Sequence, residues 1–261
     1  MPNDVQMKKN LEKIQGFRLF DDTFMSAVFD GQIAETEFLL RVVLGRDDIF
    51  VESSEAQYAI SNIYGHEARL DILARDRQGK AYNVEVQRAL AGASMQRARF
   101  LGAMVDVTLL KKGDQHQNLP ERYTIFITED DMFGKGLPSY HACNTIDELD
   151  HLPLGDGGHI VYINGQYRNL ETPIGRLMHD FFCARADDML NPLLKKRVKY
   201  LKETEGGNGE MCEIMEQYIY EKHLDLAKKE IEIGELSLEQ IARVFELPLQ
   251  VVEELASRKT A

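Results

Sequence analysis

The chain has 261 residues, of which 44% are hydrophobic and 28% are charged, and its formal net charge at pH 7 is −12. This composition is typical of a soluble globular protein with a substantial core, and no run approaches the ~18 consecutive apolar residues that a membrane span needs. The polar start lacks the apolar segment of a secretory signal, and three widely spaced cysteines without a C-x-x-C pair predict free thiols, so we expect a cytoplasmic protein.

Two short helices are predicted from Asp22 to about Gly45. Apolar residues recur at helical spacing on both sides of Asp30-Gly31, a dipeptide typical of turns. Asp22 stands at the start of the first helix, where an acid either caps the helix or serves as an auxiliary group of a metal site. The capping role is favoured, because aspartate is a preferred N-cap residue. A strand is then expected within residues 49–64.

The next segment is predicted to be a β-hairpin that carries a site. Apolar and polar side chains alternate in residues 69–75 and 81–87, which is the period of half-buried strands. If Arg77-Gln78-Gly79 is a three-residue loop with its glycine in the left-handed conformation, Asp76 pairs with Lys80, and the register of every other pair follows. The turn therefore predicts which side chains meet across the hairpin.

This register places Asp71 opposite Glu85 and Gln87 opposite Arg69. Opposed residues of an antiparallel pair have Cβ atoms roughly 4.5–5.5 Å apart, so the two carboxylates would share one small volume. Two such anions repel each other, and either a proton or a cation between them relieves the repulsion. Oxygen ligands of this kind suit Mg²⁺ or Mn²⁺ rather than zinc. Neutralisation by neighbouring arginines is the structural alternative.

A helix is predicted from Arg88 to Leu110, beside the hairpin. Its first turns carry Arg97 and Arg99, and we prefer a phosphate-binding role for these guanidinium groups over a purely solubilising one. Residues 69–112 have a net charge of +5 within an otherwise acidic chain. A nucleic-acid backbone can dock on such a basic segment, and scattered solvated charges are the equally weighted alternative.

Two further strands of the sheet are predicted at Arg122–Thr128 and His159–Ile163. The second strand is followed by Asn164-Gly165, which suits a type I′ turn, and by Gln166–Arg168, so this segment predicts a second hairpin. Strands that alternate with a helix and end in a hairpin fit a mixed α/β sheet.

The last third of the chain is predicted to be helical. Thr172-Pro173 is an N-cap followed by a proline at the first helical position. Gly206-Gly207-Asn208-Gly209 is interpreted as a linker, and Glu210–Ile233 as a further helix. Ser237–Gln240 is a capping box that opens a final helical pair. This pair loosely resembles a helix-turn-helix, but its acidic charge favours a packing or dimerising hairpin over a DNA-reading one.

Asp71, thirteen residues and then Glu85-Val86-Gln87 resemble the signature of the PD-(D/E)XK nuclease superfamily, in the branch of nuclease family transposases and recombination-promoting nucleases. The segment Asp21–Phe29 is similar to the N-terminal part of that branch, and the helical tail is similar too. Two positions depart from the superfamily pattern: Gln87 replaces the usual lysine, and Leu70 replaces the proline before the first acid. Glutamine occurs in this branch, but it cannot bring a positive charge to an attacking water.

The resemblance implies a restriction-endonuclease-like α/β fold, with a mixed β-sheet core flanked by helices and an α-helical C-terminal region. It implies that Asp71, Glu85 and the backbone carbonyl of Val86 bind Mg²⁺ or Mn²⁺ and that Gln87 aims the attacking water. Asp22 is retained as an auxiliary residue of the site. Four arginines are assigned to DNA binding: Arg69, Arg88, Arg97 and Arg99.

We therefore predict a magnesium-dependent DNA endonuclease that hydrolyses phosphodiester bonds, in which Arg69 restores part of the positive field that Gln87 lacks. A catalytically inactive relative that binds DNA or a protein partner is the alternative, and a plain interaction protein is a third reading. DNA is the expected partner, with RNA and a homodimer left open. No membrane is expected, because the sequence lacks a sufficiently long apolar run. No nucleotide cofactor is expected, because it has no P-loop and no G-x-G-x-x-G motif.

Three regions are predicted along the chain. Residues 1–170 would form the nuclease-like α/β domain, and residues 171–205 a helical extension of its core. Residues 210–261 would form a C-terminal helical tail, separated from the extension by the glycine-rich linker.

Overall fold

The computed structural model describes residues 12–61, 67–110 and 113–257. Helices lie on both faces of a six-stranded mixed sheet. The strands of this sheet and of a small ribbon are β1 (Val51–Ser61), β2 (Glu67–Asp76), β3 (Ala81–Gln87), β4 (Arg122–Thr128), β5 (Ser139–Cys143), β6 (Thr145–Ile146), β7 (Leu152–Pro153) and β8 (Gly158–Asn164). The helices are α1 (Asp22–Phe29), α2 (Ile33–Leu44), α3 (Met95–Leu109), α4 (Pro173–Phe182), α5 (Pro192–Glu203), α6 (Glu205–Ile233), α7 (Leu238–Val244) and α8 (Leu249–Ser257).

The strand order in the sheet is β1-β2-β3-β4-β8-β5. β1, β2 and β3 form an antiparallel meander, β3, β4 and β8 are parallel, and β5 is antiparallel to β8. Parallel neighbours need a crossover connection, which α3 supplies between β3 and β4. The carboxyl ends of β3, β4 and β8 therefore lie at one edge of the sheet.

The first face of the sheet carries the main core. Tyr82, Val84 and Val86 of β3 point to this face, as the two-residue period of a strand requires. Several of the described helices cover it. One buried residue from each of α1, α2, α4, α5 and α6 illustrates the contact: Phe24, Leu39, Leu177, Leu194 and Met211.

The second face is covered by α3, which packs Leu101 and Met104 against Phe126 of β4. Glu85 alternates with the first-face residues of β3 and so points to the side of α3. Ser94 is the N-cap of α3, because its Oγ accepts the N–H of Arg97 at 3.2 Å. The first turn of α3 is thereby held beside the end of β3.

Most predicted elements are confirmed. The two N-terminal helices are α1 and α2, and Gly31 between them has a φ of 65°. The strand expected within residues 49–64 is β1, although positions 62–64 of that prediction lie outside the described residues. The predicted α/β fold class, a mixed sheet core flanked by helices with a helical C-terminal region, is also confirmed.

The second hairpin, predicted at Asn164-Gly165, is wrong because Gln166–Arg168 forms no strand. β8 already has neighbours on both sides, β4 and β5. A glycine is required at position 165 because the backbone there passes close to Thr128. A Cβ at this position would lie 2.3 Å from the carbonyl oxygen of Thr128. The Asn164 side chain accepts the Gln166 N–H at 2.8 Å and closes a local turn.

The linker predicted at Gly206-Gly207-Asn208-Gly209 is also wrong, because α6 runs without a break from Glu205 to Ile233. Thr204 caps this helix by accepting the N–H of Gly207 at 3.1 Å. A Cβ on Gly207 would lie 2.0 Å from the carbonyl oxygen of Tyr200, so the glycine lets α6 start directly against α5. The predicted boundary before residue 210 therefore falls inside a continuous helix.

Helix α6 joins the C-terminal helices to the rest of the protein. Met211 and Met215, in its first half, belong to the main core, whereas Ala227 packs with α7 and α8 in a separate small cluster. The capping box of Ser237 and Gln240 at the start of α7 is confirmed. None of the described helices combines the length and the apolar character of a membrane span.

Candidate active site

The β2–β3 hairpin has the register that its turn predicts. Gly79 has a φ of 82°, and its N–H donates to the carbonyl oxygen of Asp76 at 2.9 Å. The Asp76 N–H in turn donates to the carbonyl oxygen of Lys80 at 3.1 Å. From this turn the paired ladder extends to Ile72 and Val84, so the next position along the hairpin brings the two predicted acids together.

Beyond the ladder, β2 and β3 part, and the carboxylates of Asp71 and Glu85 occupy the opening. The N–H of Val86 donates to Asp71 Oδ2 at 2.8 Å, and the N–H of Asp71 lies 3.4 Å from Glu85 Oε1. β2 remains paired with β1, and β3 with β4, through this region. Side-chain carboxylates therefore replace backbone carbonyls as acceptors, which holds both acids in place while the strands separate.

Burial and crowding of charge determine the electrostatics of this acid pair. The Glu85 side chain is 0% exposed, and Asp71 is half-buried. Burial raises the pKa of Asp71 well above its usual range, and the charges of Glu85 and Asp22 raise it further. Burial also raises the pKa of Glu85 to about 7, although Arg97 acts in the opposite direction. Two carboxyls that oppose each other's ionisation form a site that favours a cation.

An open cleft of about 480 Å³ leads to the acid pair. Its walls come from the start of α1 and the segment before it, from the β2–β3 hairpin, from the first turn of α3 and from α6. Asp71, Val86 and Gln87 lie on the β2–β3 side, and Tyr218 of α6 lies on the other. The site is therefore open to a ligand larger than an ion.

Asp22 lies in this cleft, at the first helical position of α1. The N-cap of that helix is Asp21, so the capping role favoured for Asp22 is wrong. Its Oδ1 accepts a hydrogen bond from the amide of Gln57 at 2.9 Å, and Gln57 has a left-handed φ of 54°. Because the Asp22 charge raises the pKa of Asp71, the auxiliary residue and the acid pair share one electrostatic environment.

The donor set fits a divalent cation that prefers oxygen ligands. In the described part of the chain, Asp71 Oδ1 accepts no hydrogen bond, and Val86 lines the cleft beside it. Neither histidine nor cysteine is among the described residues that line this cleft, which disfavours zinc. Asp71, Glu85 and the carbonyl of Val86 are thus the residues that would hold Mg²⁺ or Mn²⁺.

Gln87 is the last residue of β3 and lines the cleft. Its side-chain amide packs on the backbone of a short 3₁₀ helix, Leu90–Ala93, where a Cβ on Gly92 would lie 2.1 Å from Gln87 Oε1. Gly92 therefore leaves the space that the amide occupies. This amide is neutral, and it stands where the superfamily pattern has a lysine.

Arg97 and Arg99, both predicted to bind DNA, differ in their surroundings. Arg97 points into the site, with its Nη2 3.0 Å from Glu85 Oε2. Arg99 is exposed and forms no ion pair with a residue that the structure describes. The two arginines are close in sequence, but only the first belongs to the acid pair.

Arg88 lies at the rim of the cleft, between two acids. Its guanidinium is 3.1 Å from Asp21 and 3.1 Å from Glu129, and Arg18 contacts Glu129 as well at 3.4 Å. A phosphate that binds Arg88 must therefore compete with these carboxylates. The last two positions of the basic segment, 111 and 112, lie outside the described residues.

Arg69 does not lie opposite Gln87, so that prediction is wrong. The β2–β3 ladder ends before this position, and only the pairing on the other side of β2, between Arg69 and Ala59 of β1, continues in the described sheet. Its guanidinium is 2.5 Å from the carboxylate of Glu221 on α6. The positive field expected from Arg69 near the missing lysine is neutralised by this partner, and Arg97 is the arginine that contacts the acid pair.

The contribution of α6 was missed from the sequence. Tyr218 lines the cleft, and Glu221 holds Arg69 across a separation of 152 residues. Helical periodicity predicts α6 itself, but no motif links its residues to the hairpin. The sequence gives more indication of the contact between Arg97 and Glu85, because α3 is the first α-helix after β3 and was predicted to lie beside the hairpin.

A cluster of His179, Asp180 and Cys183 at the end of α4 has ligand atoms within 4.8 Å of one another. Its polar groups already have protein partners. The Asp180 carboxylate accepts the N–H groups of Leu190 and Asn191 at 2.7 and 2.8 Å, and the Cys183 thiol lies against the carbonyl of His179. These bonds tie α4 to the segment before α5, which is a structural role.

Comparison with known proteins finds one family model for this chain. The model, described as PD-(D/E)XK nuclease family transposase, matches residues 38–169, just over half of the chain. The match includes the β2–β3 hairpin with both acids, and the observed mixed sheet agrees with the restriction-endonuclease-like fold. No curated protein and no solved structure matches the chain. The match confirms the resemblance: this chain belongs to the PD-(D/E)XK nuclease family transposases.

Proposed function

We propose that the protein is a divalent-metal-dependent endonuclease that hydrolyses phosphodiester bonds in DNA. Membership of a nuclease family suggests the reaction class, and one observation supports it at the level of residues. Asp71, which is half-buried, and Glu85, which is fully buried, lie together at the end of an open cleft. Their raised pKa values mean that the arrangement costs stability without a cation, and strained acid pairs of this kind cluster at functional sites.

In this proposal, Asp71, Glu85 and the Val86 carbonyl hold Mg²⁺ or Mn²⁺. The bound cation would acidify an attacking water and neutralise charge at the scissile phosphate. Gln87 would hydrogen-bond this water and orient it, and its packing against Gly92 limits the positions that the amide can take. Asp22, at the other side of the cleft, would orient solvent around the cation.

The exposed guanidinium of Arg99 would contact a neighbouring phosphate, and Arg88 would do so in competition with its two acids. Such contacts position the duplex without reading its sequence. Because these contacts join guanidinium groups to phosphates, we expect the affinity for DNA to fall as the salt concentration rises.

A catalytically inactive DNA-binding relative is the second candidate, and the neutral side chain at Gln87 favours it. A lysine at this place would stabilise the developing negative charge, whereas an amide can only donate a hydrogen bond. Under this alternative the acid pair would bind a cation, and DNA would bind without being cut.

Nicking of supercoiled plasmid separates the two candidates. The wild-type protein, Asp71→Ala and Glu85→Ala would be incubated with plasmid in MgCl₂, in MnCl₂ and in EDTA. We expect cleavage by the wild type only with metal, and a loss of about 1000-fold in both variants, because removal of a metal ligand forfeits several kcal/mol of transition-state stabilisation. Single-stranded DNA, duplex DNA and RNA substrates of one sequence would then establish the substrate class.

Glu52→Gln is the matched control, since Glu52 is an exposed acid on the neighbouring strand β1. It should cleave within about twofold of the wild type, because an exposed charge outside the site contributes little. Metal-dependent cleavage that survives in both acid variants would rule out the proposed site. Metal-dependent DNA binding without any cleavage would favour the inactive relative.

A further inference from the structure

The ion pair between Arg97 and Glu85 lies inside the proposed metal site. Arg97 Nη2 is 3.0 Å from Glu85 Oε2, and the Glu85 side chain is fully buried. Arg97 is itself 37% exposed and lines the cleft, so its guanidinium has one side on the acid and the other toward solvent. A charged group with this placement can leave its partner without crossing the core.

Arg97 is the counter-ion of Glu85 in the described part of the chain. Other arginines near the site are bound elsewhere: Arg88 by a pair of acids at the rim, Arg18 by Glu129 and Arg69 by Glu221. A buried carboxylate without a counter-charge is costly, and a single partner offsets part of that cost. The protein without metal therefore depends on Arg97 to hold its second acid.

A guanidinium and a divalent cation cannot both bind Glu85 Oε2 at close range, because they need the same oxygen and repel each other. We infer that Arg97 is a built-in counter-ion that leaves Glu85 when the metal binds, and that the exchange lowers the affinity of the site for metal. This inference rests on the proposed function, since it takes Glu85 as a metal ligand. The released guanidinium lies in the cleft, where a phosphate oxygen is the partner that suits it.

Arg99 offers a matched control for this exchange. It lies two positions further along α3, it carries the same charge, and it has no ion pair with a residue that the structure describes. Replacing either arginine with glutamine changes the net charge of the protein by the same amount. Only one of the two replacements removes a competitor from Glu85.

Mn²⁺ titration by isothermal calorimetry, without DNA, tests the exchange. We expect Arg97→Gln to bind Mn²⁺ about tenfold more tightly than the wild type, which corresponds to about 1.4 kcal/mol. Arg99→Gln should stay within about twofold, because an exposed charge acts weakly at a distance. Arg97→Lys keeps the charge and should remain much closer to the wild type than Arg97→Gln.

Unchanged or weaker Mn²⁺ binding by a folded Arg97→Gln protein would overturn the exchange. The side-chain N–H resonance of Arg97 in the wild-type protein provides a second measurement, which does not depend on how the variant folds. It should shift as diamagnetic Mg²⁺ saturates the site, and its absence in Arg97→Lys assigns it. A resonance that stays fixed through the titration would also contradict the exchange.

Failure of the exchange can be told apart from failure of the proposed function. If the wild type binds Mn²⁺ and loses this binding in Asp71→Ala and Glu85→Ala, the metal site stands whatever the Arg97 variants do. If the wild type shows no such binding, the metal site and the exchange both fall.

Discussion

Asp71 and Asp76 lie on the same strand of one hairpin, but their surroundings differ. Asp76 is 4% exposed, its Oδ1 accepts the N–H groups of Gln78 and Lys80 at 2.9 Å each, and its Oδ2 accepts the hydroxyl of Tyr82 at 2.8 Å. Within the described residues, Asp71 accepts one backbone N–H and faces two other carboxylates. One acid is surrounded by donors, and the other by like charges.

This comparison shows how the hairpin separates structure from chemistry. A carboxylate whose oxygens are all satisfied by the protein stabilises the turn and has nothing left for a ligand. A carboxylate that keeps an oxygen free beside other acids weakens the fold and is available to a cation. The turn end of the hairpin, with Asp76, therefore fixes the strand register. That register places Asp71 near Glu85 at the other end, where the strands separate.

The largest difference between the two acids is expected in the rate of DNA cleavage. Asp71→Asn and Asp76→Asn change the charge equally, yet we expect cleavage to fall about 1000-fold in the first and less than about threefold in the second, because only Asp71 would bind the cation. Initial rates of plasmid nicking in MgCl₂, at a temperature where both variants are folded, provide the measurement. Equal losses in the two variants would remove the distinction.

The free energy of unfolding should show the opposite order. We expect Asp76→Ala to lose about 3 kcal/mol, because two backbone N–H groups and a buried hydroxyl are left without their acceptor. Asp71→Ala should change stability by less than about 1 kcal/mol without metal, since the lost hydrogen bond is offset by relief of repulsion. Urea unfolding of the metal-free proteins measures both. A larger loss in Asp71→Ala than in Asp76→Ala would reverse the comparison.

The pH dependence of stability sharpens the comparison at the open end. The pKa of Glu85 is about 7 in the folded protein and about 4.5 in the unfolded chain, so the folded state binds more protons between these values. The contribution of protonated Glu85 to the free energy of unfolding is fully present below about pH 4.5. It is lost as the pH rises through about 7, with a total of about 3 kcal/mol relative to Glu85→Gln.

Urea unfolding of the wild type and Glu85→Gln at intervals from pH 5 to pH 8, in EDTA, checks this prediction. The difference between the two proteins should shift in favour of Glu85→Gln as the pH rises. Saturating Mg²⁺ should oppose the shift, because metal binds the ionised carboxylates. A difference that stays constant with pH would mean that Glu85 does not titrate in this range.

The smallest effect is expected at Tyr82, whose hydroxyl bonds Asp76 at the turn end of the hairpin. Burial and its bond to Asp76 raise the pKa of Tyr82, so its hydroxyl stays protonated and acts as a donor. Tyr82→Phe should cost about 1 kcal/mol of stability, the usual net value of one hydrogen bond, and should leave metal affinity unchanged. Unfolding midpoints and Mn²⁺ titration measure the two quantities. A change in metal affinity would show that the two ends of the hairpin are coupled.

The hairpin and its acid pair were predictable from sequence because their determinants are local. A glycine at the left-handed position of a three-residue loop fixes the register, and a two-residue period then fixes the faces. The separation of β2 and β3 beyond Ile72 was not predictable, because it depends on the outer neighbours that each strand keeps, β1 and β4.

The wrong predictions concern glycines that local sequence patterns assign to turns or linkers, whereas contacts with other parts of the fold explain them. The glycines from Gly206 onwards suggest a linker, but Gly207 is needed where α6 meets the backbone of Tyr200. Gly165 suggests a turn, but it is needed where the chain passes Thr128. The partner of Arg69 could not be found in a similar way, because nothing near Arg69 in the sequence points to Glu221.

The wall that α6 contributes to the cleft also has a consequence for protein synthesis. Arg69 and its partner on α6 are 152 residues apart, so the acid pair leaves the ribosome long before the helix that completes its surroundings. A nascent chain carries both acids without Tyr218 and without the counter-charge of Arg69. The surroundings of the acid pair are therefore completed only late in translation, after the residues of α6 have been made.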